Sequence, residues 1–259
     1  MLGSMRALPL LISLLPAALP TFAQPVATAR AFDVASVRPS QHSVGPDYNN
    51  QIAYTPVGFT ARNVTLKRLI AEAWHLQTSQ VIGAAWLGQN EYDIEARAPE
   101  GAGREELAMM LKGLLAERFG LKLHNESRPM RAYDLVVAQG GPRIHPVDPG
   151  AAIAPHPGSH FRGDMRQFAD FLTVQFSIPA SSDPSVPSIG LGPQIPVLNE
   201  TGLQGTFEFS VEIKPELNTD GFTAWTRALE DQLGLKIESR KGDVAVVVVD
   251  QAARTPTAN

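Results

Sequence analysis

The chain has no cysteine, and this absence removes several kinds of chemistry at once. Disulfide bridges, thiolate metal ligands and a cysteine nucleophile are all excluded. The 259 residues carry 22 Lys and Arg against 26 Asp and Glu, which gives a formal net charge of −4. Proteins that bind nucleic acid place clustered Lys and Arg against the phosphates. Nucleic acid is therefore not expected as the main partner.

Long apolar runs are missing beyond the N-terminus, so we expect no membrane span in the mature chain. The first 23 residues differ: Arg6 precedes the apolar run 7–19, and Ala23 ends a segment with small residues at the cleavage positions. This order is typical of a secretory signal peptide. We predict a signal peptide over residues 1–23 and an exported mature protein, periplasmic or extracellular.

Known catalytic motifs are also absent. The sequence has no Gly-x-Ser-x-Gly elbow, no Ser-x-x-Lys at a predicted helix start, no Walker loop and no dinucleotide fingerprint in its strand-to-helix setting. No organic cofactor is therefore expected. A catalytic triad that is assembled only in space leaves no such signature, so an enzyme remains among the alternatives.

What the sequence does contain is a repeated pattern of amphipathic helix, glycine and strand. Apolar residues at helical spacing end at Gly120 in one copy and at Gly234 in the other, 114 residues later. A glycine at this point is typical of a helix that ends in a left-handed residue. An alternating stretch, a turn and a β-branched run follow. We predict a helix and a β-hairpin in each copy, with residues 121–125 pairing with 133–138 in the first.

Turn-rich segments divide the mature chain into two parts of similar pattern. We predict a first α+β module over residues 24–138, a loop or linker rich in Gly, Pro and His over 139–163, and a second α+β module over 164–259. The expected fold class is α+β, with mostly antiparallel or mixed sheets packed against helices. An α+β protein can also reuse helix–hairpin units without an internal duplication, and that alternative stays open.

Four predicted strands open with an aromatic residue, an acid and an apolar or aromatic residue. The acids are Asp33, Asp93, Asp134 and Glu208. Period-two alternation places each acid on the face opposite its two neighbours. Acids that converge on one surface can bind a cation or share a proton. Acids that stay apart are simply the solvated side of half-buried strands.

Three of the six histidines lie in the central loop, and two aspartates lie near them. Imidazole and carboxylate are ligands of zinc and other divalent ions. The spacing matches no compact zinc motif, and a loop offers no rigid element to hold ligands. Polar loop histidines without a metal are therefore the alternative to a divalent metal site. The candidate ligands are His145, His156, His160, Asp148 and Asp164.

Several segments taken together resemble a known family. These segments are Phe32–Pro39, Leu115–His124, Tyr133–Ala138, Thr201–Gly205 and Pro256–Asn259. They resemble the large, uncharacterised, soil-associated exported family that is abundant in acidobacteria, over nearly the whole mature chain. Asn199 departs from the aspartate expected before Thr201. The family has no established activity. Similar domains attached to membrane-embedded sensor metallopeptidases imply ligand sensing or partner binding.

A weaker likeness is to the short helix–hairpin modules at the N-termini of secretins and TonB-dependent transducers. Residues 201–205 followed by 228–235 have the same order of elements. Such modules bind protein partners and carry out no chemistry, which is a fold-level analogy.

Two functions from different classes follow. We expect an exported binding module of the cell envelope, whose partner is an envelope protein or a small-molecule ligand and whose exposed strand edges allow strand addition. The alternative is a hydrolase of small esters, lactones or peptides, assisted by a metal at the central histidines. A structural envelope protein without a ligand is a third hypothesis.

Overall fold

A computed structural model describes residues 30–41, 51–55, 57–148, 159–177, 195–214, 220–240 and 242–258. The predicted signal peptide and His156 lie outside these residues. Thirteen strands and four α-helices form within the described ranges, and the strand pairs are antiparallel except for two parallel ones. The predicted α+β class with mixed sheets is confirmed. No helix in the described part of the chain is long and apolar enough to cross a bilayer.

The elements follow one another in two similar series, which we call the first half (residues 30–137) and the second half (residues 138–258). The first half contains β1 (Val34–Pro39), β2 (Gln51–Thr55), β3 (Gly58–Thr65), α1 (Leu66–Ala73), β4 (Val81–Ile82), β5 (Glu91–Arg97), α2 (Arg104–Phe119), β6 (Lys122–Pro129) and β7 (Ala132–Val137). The second half contains β8 (Pro146–Val147), β9 (Ser159–Gly163), α3 (Met165–Ser177), β10 (Val197–Asn199), β11 (Thr206–Val211), α4 (Gly221–Ala228), β12 (Leu235–Arg240) and β13 (Asp243–Gln251). A π-helical turn, Leu229–Leu233, continues α4.

Local sequence explains where these helices begin and end. The Thr65 side chain accepts a hydrogen bond from an N–H of the first turn of α1 at 3.3 Å, and Asp164 does the same for α3 at 2.9 Å. α2 ends at Gly120, with φ 58°, and the turn after α4 ends at Gly234, with φ 66°. Both glycines therefore have the left-handed conformation that the sequence pattern predicted.

Four small sheets hold the strands. Two sheets stay within one half each, with strand orders β1-β5-β3-β2 and β8-β11-β9. The other two combine the halves, with orders β4-β13-β6 and β10-β7-β12. In each combined sheet the last strand of one half lies between two strands of the other half. The halves are therefore interlocked through β7 and β13.

The two hairpins predicted from the sequence are wrong in their pairing. β6 pairs with β13 instead of β7, and β7 pairs with β12. The two ladders continue one another, because the pair Ala132↔Arg240 is followed by Pro129↔Asp243, three residues further along each arm. The arms β6–β7 and β12–β13 therefore form one long antiparallel ribbon. This is the arrangement of a domain swap made within a single chain.

The ribbon has the same register in both halves. Moving each member of the pair Asn125↔Val247 by 114 residues gives Ser239↔Tyr133, which is also a pair. The same interval separates the two helix-ending glycines. Buried residues of α2 and α4 correspond at this interval as well. The matched pairs are Leu111 with Trp225, Leu115 with Leu229 and Phe119 with Leu233.

A short, stiff connection explains why β6 does not fold back on β7. In the ribbon Ser127 pairs with Ala245, whose counterpart 114 residues earlier is Arg131. A closed hairpin in this register would leave a loop of three residues, numbers 128 to 130. Such loops need a left-handed residue, preferably glycine, at their third position, where this chain has Met130. Their second position is i+2 of a type I turn, where proline is disfavoured, and this chain has Pro129 there. Exchange of the strands gives the same ladder without that loop.

Each half buries its own core, and a third cluster lies at the middle of the ribbon. The first core lies between α1, α2 and the sheet of β5, and the second lies between α3, α4 and the sheet of β11. The central cluster joins Ala132 and Leu198 to Val244 and Val246, so that it contains residues of both arms. Burial at this point fixes the ribbon between the two halves.

Candidate functional site

The candidate metal ligands are spread along the start of the second half. His145 and Asp148 are exposed on the segment before and after β8, and His160 is on β9. Asp164 caps α3 and bonds Arg166 at 3.0 Å. His156 lies outside the described residues. Within the described ranges, no group of three or more His, Asp or Glu has the geometry to hold a metal.

Two of these candidates, His160 and the backbone of Asp148, lie around the buried carboxylate of Glu208. His160 Nε2 is 3.3 Å from Glu208 Oε1, and Arg162 donates to Glu208 Oε2 at 2.9 Å. Arg162 also donates to the Asp148 backbone oxygen at 3.2 Å. The Glu208 side chain is only 7% exposed. A guanidinium therefore occupies the position that a cation would take.

Three of the four strand acids do not converge on one surface. Asp93 accepts the Asn63 N–H at 3.0 Å, Asp134 pairs with Arg240 at 2.7 Å, and Glu208 pairs with Arg162. Their strands, β5, β7 and β11, belong to three different sheets. None of the three is simply solvated, since each has a partner in the protein and the Glu208 side chain is only 7% exposed.

A buried ionic cluster, which the sequence did not indicate, joins the two halves. Glu72 on α1 is 7% exposed and lies 3.4 Å from Arg104 on α2 and 3.8 Å from Arg166 on α3. Arg104 also stacks 4.7 Å above the Tyr54 ring. Burial, and then the charge of Glu72, raises the pKa of Tyr54 above its ordinary range. The Arg104 side chain is half exposed and also lies 3.9 Å from Asp164, so the cluster extends from the buried Glu72 to the surface, as a structural contact between helices does.

A second polar contact between the halves is made by Gln77, which is 3% exposed. Its side-chain amide makes two hydrogen bonds along the outer edge of β10. It accepts from the Asn199 N–H at 2.7 Å and donates to the Val197 oxygen at 2.7 Å. Nearby, Asp170 accepts from the Thr78 hydroxyl at 3.1 Å. Burial raises the pKa of Asp170 above its ordinary value. Gln77 thus closes the outer edge of β10 as a neighbouring strand would.

The outer edge of β12, in contrast, is open. β7 uses Tyr133 N–H and the Leu135 oxygen to bond the β10 side. The backbone N–H and C=O groups of successive strand residues point to opposite sides, so the neighbouring β7 residues bond β12 instead. Their partners on β12 are the backbone groups of Lys236 and Glu238, which therefore point into the sheet. The backbone groups of Ile237 and Ser239 then point away from the sheet. Among the described residues, no backbone hydrogen bond reaches this edge.

A groove of about 370 Å³ lies between α4 and β12. Its walls come from one side of the helix and from the strand, and they combine one aromatic ring with hydroxyl and charged side chains. The lining residues are Phe222, Thr223, Thr226, Arg227, Glu230, Lys236 and Ile237. A groove beside an open strand edge is the geometry in which domains bind extended peptides.

One pattern in the sequence indicates the open strand edge at this site. Charged residues alternate along β12 and β6, and such alternation on a strand is typical of an exposed sheet edge. On β12 the alternating side chains are Lys236, Glu238 and Arg240, and the first two bond each other at 3.0 Å. The position of α4 beside this strand depends on tertiary packing and has no sequence signature.

The comparisons with known proteins place the chain in one family. A family model described as a protein of unknown function (DUF3738) matches residues 67–252, and the chain belongs to this family. The match covers both helix–glycine–strand units and the whole ribbon. No curated protein matches the chain, and no solved structure does.

Proposed function

We propose that this protein is an exported binding module that holds an extended peptide segment of an envelope protein as an additional strand on β12. The observation that carries the proposal is the open edge of β12 beside the groove of α4. Strand addition uses main-chain hydrogen bonds for affinity and side-chain pockets for selectivity. The open strand edge and the groove lie together at one place on the surface.

The backbone supplies the affinity. Ile237 and Ser239 each present an outward N–H and C=O, so a segment of about five residues would complete four hydrogen bonds there. Each hydrogen bond stabilises the complex by about 1 kcal/mol net. The charged side chains of β12 disfavour indiscriminate pairing with other sheets, as they do on the protected edges of many β proteins.

The helix supplies the selectivity. Alternate side chains of an added strand point towards α4, where the Phe222 ring and the hydroxyl-bearing Thr223 and Thr226 line the groove. The Thr226 hydroxyl donates to the Thr223 oxygen at 3.0 Å, so it presents an acceptor to a ligand. No observation on the described residues favours the alternative hydrolase.

The proposal is tested with a panel of ten-residue peptides in which threonine alternates with one varied residue and aspartates flank the ends. Ser239→Pro removes an outward N–H and leaves every bond to β7 intact, because proline is tolerated on edge strands. Ser239→Ala keeps the N–H and is the matched control. We expect Ser239→Pro to weaken the best peptide about tenfold, as the loss of one or two hydrogen bonds implies.

Amide hydrogen exchange locates the peptide independently of any variant. Peptide binding should slow exchange at Ile237 and Ser239 while the inward N–H groups of Lys236 and Glu238 keep their rates. If both variants bind every peptide as the parent does, and exchange at β12 is unchanged, strand addition at this edge is wrong.

Export is proposed on the signal-peptide pattern alone. Expression of the full chain in a Gram-negative host should yield a periplasmic protein that begins near Gln24. The mass of the purified protein checks this directly, since a protein retaining residues 1–23 would contradict cleavage.

A further inference from the structure

The first half has a second open edge, on β6. The central strand β13 directs its Ala245 oxygen to the β4 side, where Gln80 donates to it at 3.0 Å. Because the backbone groups of successive residues point to opposite sides, those of Val246 and Val248 face β6. Their partners on β6 are Glu126 and His124. The backbone groups of Leu123, Asn125 and Ser127 consequently point outward. The edge is eight residues long, against six for β12.

A small apolar niche lies beside this edge. Its volume is about 140 Å³, and its lining residues are Trp74, Leu76, Asn125, Glu126, Ala245, Val246 and Val247. The only charged side chain among them, Glu126, is held by Arg128 at 2.8 Å. Lys112 on α2 stacks on the Trp74 ring at 5.2 Å and forms a cationic rim. For comparison, a cavity of about 150 Å³ accommodates one benzene ring. The niche therefore suits a single large apolar side chain.

We infer that β6 is a second strand-addition site, which selects an extended peptide carrying one large apolar residue next to an acidic one. The apolar residue fills the niche at Trp74, and the acidic residue faces Lys112. The inference uses the same mode of recognition as the proposed function but rests on a different edge. One chain would then hold two extended segments, one on each half.

The two edges are expected to prefer different peptides. The groove at β12 is larger and is lined by hydroxyl and charged groups, whereas the niche at β6 is smaller and apolar. The remaining face of β6 is already satisfied, since Arg128 bonds Glu126 at 2.8 Å through two nitrogens and His124 bonds Asp250 at 3.0 Å. Selectivity at β6 should therefore come from the niche side.

The chain offers a matched pair of substitutions, because Asn125 and Ser239 occupy equivalent positions of the ribbon. Asn125→Pro removes an outward N–H on β6, and Asn125→Ala keeps it. The probe is a second panel of ten-residue peptides, with Phe, Leu, Ser or Lys at the centre and Glu beside it in place of threonine. In the Ser239→Pro background, we expect the Phe peptide to bind best and Asn125→Pro to weaken it about tenfold.

Trp74→Ala tests the niche separately, since it leaves the edge of β6 unchanged. It should abolish the preference for Phe over Ser while weak binding persists. Exchange at Leu123, Asn125 and Ser127 in the parent protein should slow on adding the Phe peptide, and this measurement needs no folded variant.

The outcomes separate the two sites. If Ser239→Pro weakens every peptide that binds and Asn125→Pro weakens none, the second site is wrong and the proposed function stands. If Asn125→Pro weakens every peptide that binds and Ser239→Pro weakens none, the proposed site on β12 is wrong and this one stands. An unchanged exchange rate on β6 with every peptide overturns the inference.

Discussion

In the first half the buried face of α2 is built from leucines, whereas the equivalent face of α4 carries Trp225 among phenylalanine rings. Phe168 packs edge-on against Phe209 at 4.9 Å, and Phe176 approaches Trp225 at 6.4 Å. The first half has fewer such contacts among its described residues, for example Tyr92 with Phe119 at 4.9 Å. The strand register is nevertheless the same in both halves.

The comparison separates what the backbone determines from what the side chains determine. Register and edges follow from the backbone, which is why β6 and β12 are both open. The shape beside each edge follows from the side chains that fill the half. Trp74, Leu76 and the valines of β13 line the niche beside β6, whereas one ring, two threonines and charged side chains line the groove beside β12. Two similar edges can thus have different selectivity.

The largest expected effect comes from linking the two arms of the ribbon. Ser127 and Ala245 are exposed and directly paired, and the chain has no other cysteine to interfere. The double variant Ser127→Cys with Ala245→Cys should form a disulfide that closes a loop of more than 100 residues. The loop-entropy model gives a stabilisation of about 4–5 kcal/mol. Urea unfolding with and without reductant measures it.

The control uses the hairpin that the structure rejects. Ser127→Cys with Arg131→Cys would be bridged if β6 folded back on β7. In the exchanged ribbon these two residues lie on one arm, so no intramolecular disulfide should form. A bridge in this variant, and none in the first, would show that the halves are not interlocked.

The next largest change in the free energy of unfolding is expected at the two helix-ending glycines. A Cβ on Gly234 would lie 2.1 Å from the Gly141 oxygen, whereas a Cβ on Gly120 meets nothing within 4 Å. Both have positive φ, which costs alanine about 1 kcal/mol. The clash adds backbone movement, so Gly234→Ala should lose about 3 kcal/mol and Gly120→Ala about 1 kcal/mol. Equal losses in urea unfolding would contradict the different surroundings of the two turns.

These glycines also show how far the sequence predicts the fold. Apolar spacing and a following glycine identified both helix ends, because those signals act within a few residues. The predicted strand partners were wrong, because pairing is decided by a connection whose Pro129 disfavours a tight turn and by burial between distant arms. The open edges were foreseeable from alternating charge. The groove at α4 was not, since it depends on how a helix packs.

A smaller effect is expected where Gln77 closes the edge of β10. Gln77→Ala leaves the Asn199 N–H and the Val197 oxygen without partners in a largely buried place, which costs about 2–3 kcal/mol. Gln80→Ala is the comparison variant, since it removes a more exposed bond to the Ala245 oxygen and the bond that its Oε1 accepts from the Gln77 N–H, and it should cost about 1 kcal/mol. Both values come from urea unfolding. A Gln77→Ala loss no greater than the control would mean that this edge is not closed by the amide.

The smallest effect is a pH dependence that only the second half should show. Asp170 lies six residues after the cap of α3, and the corresponding position on α1 is Ala71. Burial raises the pKa of Asp170, so the folded state binds its proton more readily than the unfolded state does. The stability that this carboxyl contributes is therefore present at low pH and is lost as the pH rises from its ordinary value of 3.8 through the raised pKa.

Asp170→Asn removes the titrating group but keeps an acceptor for the Thr78 hydroxyl. The free energy of unfolding of the parent should decline relative to that of Asp170→Asn as the pH rises above about 4. Denaturant titrations at several pH values measure the difference, and Ala71→Ser on α1 is a buried control without a charge. Parallel pH profiles for the parent and Asp170→Asn would show that burial does not perturb this carboxyl. The contact between α3 and Thr78 would then have to be more hydrated than its geometry indicates.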